Sequence, residues 1–128
     1  NDASAQYVAR ALRAGAAEAD AVCFHVYGDD LVLAYRNRIV RMRAAMGAAG
    51  CAKPLWVTEV GFPADDPVEQ AAQLRRFLAS DLSAVERVYV YALATDEIRD
   101  HHGLCEYDGE RTPRPAYGVL RDAIARAS

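Results

Sequence analysis

A glutamate closes an otherwise apolar run, Leu55-Trp56-Val57-Thr58-Glu59-Val60, which Gly61-Phe62-Pro63 then stops. A buried charge without partners is costly, so Glu59 in that setting needs either a countercharge or a chemical task. A second run, Ala21-Val22-Cys23-Phe24-His25-Val26-Tyr27, ends at Gly28 and carries an imidazole and a phenol two residues apart. In a strand that spacing puts both on one side. A third run, Arg87-Val88-Tyr89-Val90-Tyr91-Ala92, ends near Tyr91 and Leu93, with Asp96 just beyond. A carboxylate, an imidazole and phenols brought to one place are the groups of acid–base and nucleophilic chemistry. Glu59 is therefore the candidate catalytic residue, with His25, Tyr27, Tyr91 and Asp96 as candidate substrate-binding neighbours.

Each of these residues also has an ordinary use. Glu59 can be a strand-end carboxylate paired with an arginine, and His25 a satisfied core histidine. Tyr27 and Tyr91 can be packing residues with their hydroxyls tied to carbonyls. His101-His102 lacks a third ligand at a recognisable spacing, so it reads as a solvated loop rather than a metal site. The spacing of Met42 and Met46 is that of a core helix face.

The elements that must position these residues alternate. Residues from about 3 to 18 have helical periodicity, with Tyr7, Val8, Ala11 and Leu12 on one face. The run 21–27 reads as a buried strand with Cys23 as a small core residue. A helix follows over 31–46, with Val32, Tyr35, Ile39, Met42 and Met46 at spacings of three and four, and Gly47 and Gly50 at its end. The strand 55–60 precedes a helix opened by Asp66 as N-cap, Pro67 and Glu69, a capping-box pattern with Val68, Ala71, Leu74 and Leu78 as its apolar face. After the strand 87–92 comes a loop whose Asp108-Gly109 suggests a type I′ hairpin turn. Pro115 opens a last helix with Tyr117, Leu120 and Ile124 on one side. Simple alternation puts Glu59 on the same side of its strand as Leu55 and Val57.

Helix–strand alternation of this kind gives parallel strands joined by helical crossovers. Strands so uniformly apolar are expected to be covered on both faces, and the functional site to lie at their C-terminal ends. The 128 residues form a single domain, 1–128. They amount to about half of a complete (β/α)8 barrel. Three parallel strands leave open edges, and the start Asn1-Asp2-Ala3, without a methionine, suggests a segment of something longer.

Net charge is -3, with no basic stripe, which argues against nucleic acid as a partner. No apolar stretch approaches the length of about 20 residues that a bilayer requires, and no signal peptide is visible. Localisation, secreted or cytoplasmic, is left open. Cys23, Cys51 and Cys105 form neither a disulfide framework nor a metal motif.

The run Leu55 to Phe62 resembles the seventh-strand signature of the clan A glycoside hydrolases, in which an apolar strand leads into Thr-Glu and a glycine. His25-Val26-Tyr27 is similar to the His-x-Tyr of their sixth strand. Gly103-Leu104, Asp108-Gly109 and Thr112-Pro113-Arg114-Pro115-Ala116-Tyr117 resemble the segment after strand eight in cellulase-like and xylosidase-like members. The resemblance spans essentially the whole chain. It implies a partial (β/α)8 barrel comprising strands six to eight with flanking helices and a small hairpin before the last helix. It also implies a retaining glycoside hydrolase in which Glu59 is the nucleophile, Tyr27 hydrogen-bonds it, and no metal or cofactor takes part. Tyr89-Val90-Tyr91 stands where these enzymes usually carry a tryptophan. Their acid/base glutamate lies on strand four, outside this chain, so the expected partners are a carbohydrate substrate and the N-terminal half of the barrel.

Two other readings stand beside it. One is a non-catalytic barrel remnant that binds sugar or a protein. The other is a doubly wound domain for a phosphorylated ligand, which Asp29 and Asp30 disfavour by placing acids after Gly28, where phosphate would sit.

Overall fold

In the computed structural model, residues 2–94 and 101–127 are described. Among these residues the chain is an α/β fold of three parallel strands in one open sheet, with four helices. In chain order, α1 (Asp2–Arg13) and a short 3-10 turn lead into β1 (Val22–Val26), α2 (Leu31–Ala48) and β2 (Leu55–Val60). Then come α3 (Pro67–Leu78), β3 (Arg87–Val90) and α4 (Pro115–Ala127). The sheet order is β1-β2-β3, both pairings parallel. Successive strands are thus neighbours, with a helix carried between each pair.

One face of the sheet makes the core. Val22, Phe24 and Val26 of β1 and Leu55, Val57 and Val60 of β2 are buried together with Leu31, Tyr35, Ile39, Met42 and Met46 of α2. Ala71, Leu74 and Phe77 of α3 join the same cluster, as do Leu12 and Ala116 from the first and last helices. Around it α1 packs on α2, α2 on α3, and α3 on α4. Among the described residues the strands are therefore covered on one face only, not on both. β1 alternates buried and exposed along its length, so Cys23 is exposed on the open face and is not the core residue its apolar neighbours suggest.

The helix faces shift for identifiable reasons. Gly15, at φ 114, stops α1 short of residue 18, and Tyr7 is left 66% exposed while Ala9 and Leu12 turn inward. Along α3 the buried positions are Gln70, Ala71, Gln73, Leu74 and Phe77, whereas Val68 is 69% exposed. Asp66 caps this helix by accepting from the Val68 N–H at 2.8 Å, and Glu69 accepts from Gln73 Nε2 at 3.0 Å. Asp30 caps α2 in the same way through the Leu33 N–H, which accounts for one of the two acids after Gly28. Only Ala116 of α4 is fully buried, and Tyr117 and Ile124 stay exposed.

The strand ending at Val90 is shorter than the run to Ala92 suggests. Beyond it, Cys105 bridges antiparallel to Pro113, and the Glu106 N–H donates to the Thr112 carbonyl at 2.9 Å. The turn between them is not type I′, because the left-handed residue is Arg111 (φ 56) rather than Gly109. Asp108 orders it by accepting from the Thr112 N–H at 2.9 Å, and hydrogen bonds from Thr112 hold that carboxyl below its ordinary range.

Tyr35 packs edge-on against Phe77, with ring centroids 5.6 Å apart, and is almost wholly buried. Its hydroxyl finds no hydrogen-bond partner among the described residues, and burial pushes the phenol up from its ordinary pKa, with Asp81 adding to the effect. A stranded buried hydroxyl costs free energy that an apolar isostere does not. Tyr35→Phe should therefore be neutral or stabilising by up to about 1 kcal/mol in urea unfolding. A clear loss of stability would show that the hydroxyl is bonded.

Candidate active site

Glu59 occupies its position because β2 carries one residue more than its neighbours. On the β1 side, Phe24 pairs with Val57 but His25 pairs with Glu59, so Thr58 is the extra residue. On the β3 side, Val57 pairs with Val88 and Val60 with Val90, leaving two residues of β2 opposite Tyr89 alone. Such a bulge re-aims the side chains that follow it. Regular alternation would have put Glu59 among the helices with Leu55 and Val57 and turned Val60 outward. The bulge reverses both: Val60 is fully buried, and Glu59 stands on the open face beside His25. The expectation that Glu59 shares a side with Leu55 and Val57 is therefore corrected.

On that face the strand ends converge. The Tyr27 hydroxyl donates to Glu59 Oε2 at 2.5 Å, and His25 Nδ1 lies 3.3 Å from the same oxygen. The His25 side chain is 52% exposed and that of Glu59 36%, so neither is a core residue. Among the described residues the partners of Glu59 are this phenol and imidazole, not an arginine. Tyr91 joins through its ring, edge-on to Tyr27 with centroids 6.4 Å apart. The Tyr91 N–H donates to the Val60 carbonyl at 2.8 Å, which fixes the end of β3 beside Glu59. Asp96 lies outside the described residues.

One residue of the site was missed in the sequence. His102, half-buried, stands edge-on to both Tyr27 (5.3 Å) and Tyr91 (5.7 Å). His101 stays exposed, 3.5 Å from Asp65, so the two histidines have opposite fates and only His101 is the solvated loop residue expected. Gly61 makes the crowding possible: a Cβ there would lie 2.6 Å from the Tyr91 carbonyl oxygen and 2.9 Å from His102 Cδ2. The pair reads as a solvated loop because it lacks a third ligand at a recognisable spacing, and nothing local distinguishes the second imidazole from the first.

Two buried glutamines of α3 tie the surrounding turns down. Gln73 Nε2 donates to the Asp29 carbonyl at 2.9 Å, fastening the turn after Tyr27. Gln70 Nε2 lies 3.0–3.4 Å from the carbonyls of Phe62, His101, His102 and Gly103. Arg114, also buried, reaches the His101 carbonyl and pairs with Glu106 at 2.9 Å. Gln70 and Gln73 are three apart, next to Ala71 and Leu74, so a polar pair on an inward helix face was the available clue.

A cavity of about 330 Å3 adjoins the cluster, lined by Tyr27, Gly28, Asp29, Phe62, Pro63 and His102. A wider one, about 520 Å3, runs along the free edge of β1 past Cys23 and His25. Among the described residues no group of three or more His, Cys, Asp and Glu is arranged to hold a metal, and no helix is long and apolar enough to cross a membrane. No protein-family model matches the chain, and no curated protein matches it.

The bulge has a direct test. Val60→Glu places a carboxylate in the helix layer and should cost on the order of 3 kcal/mol or more. Glu59→Gln, on the open face, should cost less than about 1 kcal/mol. Urea unfolding of both variants separates this arrangement from regular alternation, which requires the opposite ranking.

Proposed function

We propose that this chain carries the nucleophile side of a retaining glycoside hydrolase site, with Glu59 as the nucleophile and a carbohydrate as substrate. The observation that carries the reading is the Glu59 carboxylate at the C-terminal ends of parallel strands, gripped through Oε2 by Tyr27 and His25. Both contacts fall on one oxygen, which leaves Oε1 to attack an anomeric carbon. The Tyr27 hydroxyl, donating to the other oxygen, orients the carboxylate and stabilises its charge before attack. In the first step a Glu59–anomeric carbon bond forms as the bond to the leaving oxygen breaks. Water then cleaves the ester with net retention.

The same reading makes the sheet three consecutive strands, six to eight, of a (β/α)8 barrel. Two features support it: successive strands are neighbours, without the order reversal of a doubly wound sheet, and the helices all lie on one face of the strands. The open face then corresponds to a barrel interior. A second carboxyl about 5 to 5.5 Å from Glu59 is required as acid/base, and the N-terminal half of the barrel supplies it.

An aryl 2-deoxy-2-fluoro glycoside with a dinitrophenolate leaving group tests the nucleophile by itself, because so good a leaving group departs without a proton. Peptide mapping should find the fluorosugar esterified to Glu59 and to no other residue. Glu59→Gln should abolish labelling and, in the complete enzyme, lower turnover by about a thousandfold or more. Label on another residue, or an inverted product, would remove Glu59 from this role. Sugar binding with Glu59 unlabelled would instead favour a non-catalytic sugar-binding barrel remnant.

A further inference from the structure

The Tyr27–Glu59 bond depends on the rings packed around the phenol. Tyr27 is the donor to Glu59, and its ring must stand at one angle for the hydroxyl to reach Oε2 at 2.5 Å. Three rings stand edge-on against it. His25 lies edge-on at 6.3 Å, Tyr91 at 6.4 Å, and His102 closest of all at 5.3 Å. His102 also stands edge-on to Tyr91 and fills the space over Gly61 that a Cβ would need. His25 and Tyr91 are held by β1 and by the end of β3, whereas His102 comes from a loop.

That loop is not left to itself. Gln70, 2% exposed and rooted in α3, directs its amide nitrogen at the consecutive carbonyls of residues 101, 102 and 103, and at Phe62 on the other side. Arg114 adds a contact to the His101 carbonyl at 3.4 Å. Four converging carbonyls could suggest a cation, but a guanidinium already stands on one of them, and its charge opposes a second. The cluster is therefore an anchor: a helix amide grips the backbone on both flanks of one imidazole.

We infer that His102 is a positioning residue for the site, seated by Gln70, and that it acts through Tyr27 by holding the phenol ring on the Glu59 carboxylate. The inference rests on the proposed nucleophile role for its consequence in catalysis, while its structural claim concerns the Tyr27–Glu59 bond alone. The imidazole meets Tyr27 and Tyr91 through its ring edge. A ring of similar size is expected to substitute for it, and a small side chain is not. Because His102 is only half-buried, its replacement should leave the helix packing intact.

The test reads the bond and the chemistry separately. In protein labelled with 13C at tyrosine Cζ, the Tyr27 resonance is assigned by its loss in Tyr27→Phe. In His102→Ala that resonance should move to the position of solvent-exposed tyrosines, and in His102→Phe it should stay in place. Labelling of Glu59 by the fluorosugar should slow by about tenfold or more in His102→Ala and stay within about threefold of the parent in His102→Phe. His102→Asn, which keeps polarity without a ring, should behave like the alanine variant. An unmoved Tyr27 resonance in both the alanine and asparagine variants overturns the inference, whatever Glu59 does. If the resonance moves as expected but the parent protein never labels at Glu59, the positioning role stands and the glycosidase reading falls.

Discussion

The site depends on a conflict of side-chain parity inside β2. Leu55, Val57 and Val60 are apolar and close the core, yet an odd spacing between Val57 and Val60 prevents one regular strand from turning all three inward. Regular pairing would expose Val60, losing roughly 1.5 to 3 kcal/mol of burial, and would carry the Glu59 carboxylate into the helix layer at a larger cost. One unpaired residue at Thr58 resolves both. The cost is a local break in the ladder, and the outcome is a carboxylate facing His25 and Tyr27 across the open face. The hydrophobic core, in other words, decides where the charge goes.

Around that carboxylate, polar groups of α3 hold the loops. Gln73 fastens the turn after Tyr27, and Gln70 fastens the segment that bears His102. Buried amides need partners, and the amide nitrogens of both glutamines find them in the backbone carbonyls of irregular loops, while Gln70 Oε1 has none among the described residues. The exchange serves both sides, since backbone carbonyls brought toward the sheet also need donors. A helix face that looks merely interrupted by glutamines is thus what connects the outer layer of the fold to the strand ends.

The open face is divided along the strand direction. Toward the start of the strands, Trp56 packs under the Arg87 guanidinium, 4.7 Å from its ring, and donates to Glu86. Toward the end stand His25, Tyr27, Glu59 and Tyr91. Structural contacts at one end and polar, half-exposed groups at the other follow the general division of labour in parallel α/β sheets, where chemistry gathers at the carboxyl ends of strands. The glycosidase proposal uses this polarity, and the exposure of the face is what a barrel interior would relieve.

Much of this was legible in the chain itself. Alternating apolar runs and amphipathic segments determined three strands, four helices and their parallel order, because hydrophobic periods of 2 and 3.6 are local properties. Asp66-Pro67 marked a helix start for the same reason, and His25 and Tyr27 shared a face because they are two apart on a regular strand. What the sequence could not decide was which strand would break its alternation. Thr58 is unremarkable as a residue, and only the demand of the helix layer for Val60 makes it the bulge. Nor could it decide that Cys23 is exposed, that His102 and His101 part company, or that α3 turns Gln70 and Gln73 inward in place of Val68. Each of those depends on atoms brought together from distant parts of the chain. Periodicity records what a segment prefers by itself, while burial is granted by neighbours that only the folded structure supplies.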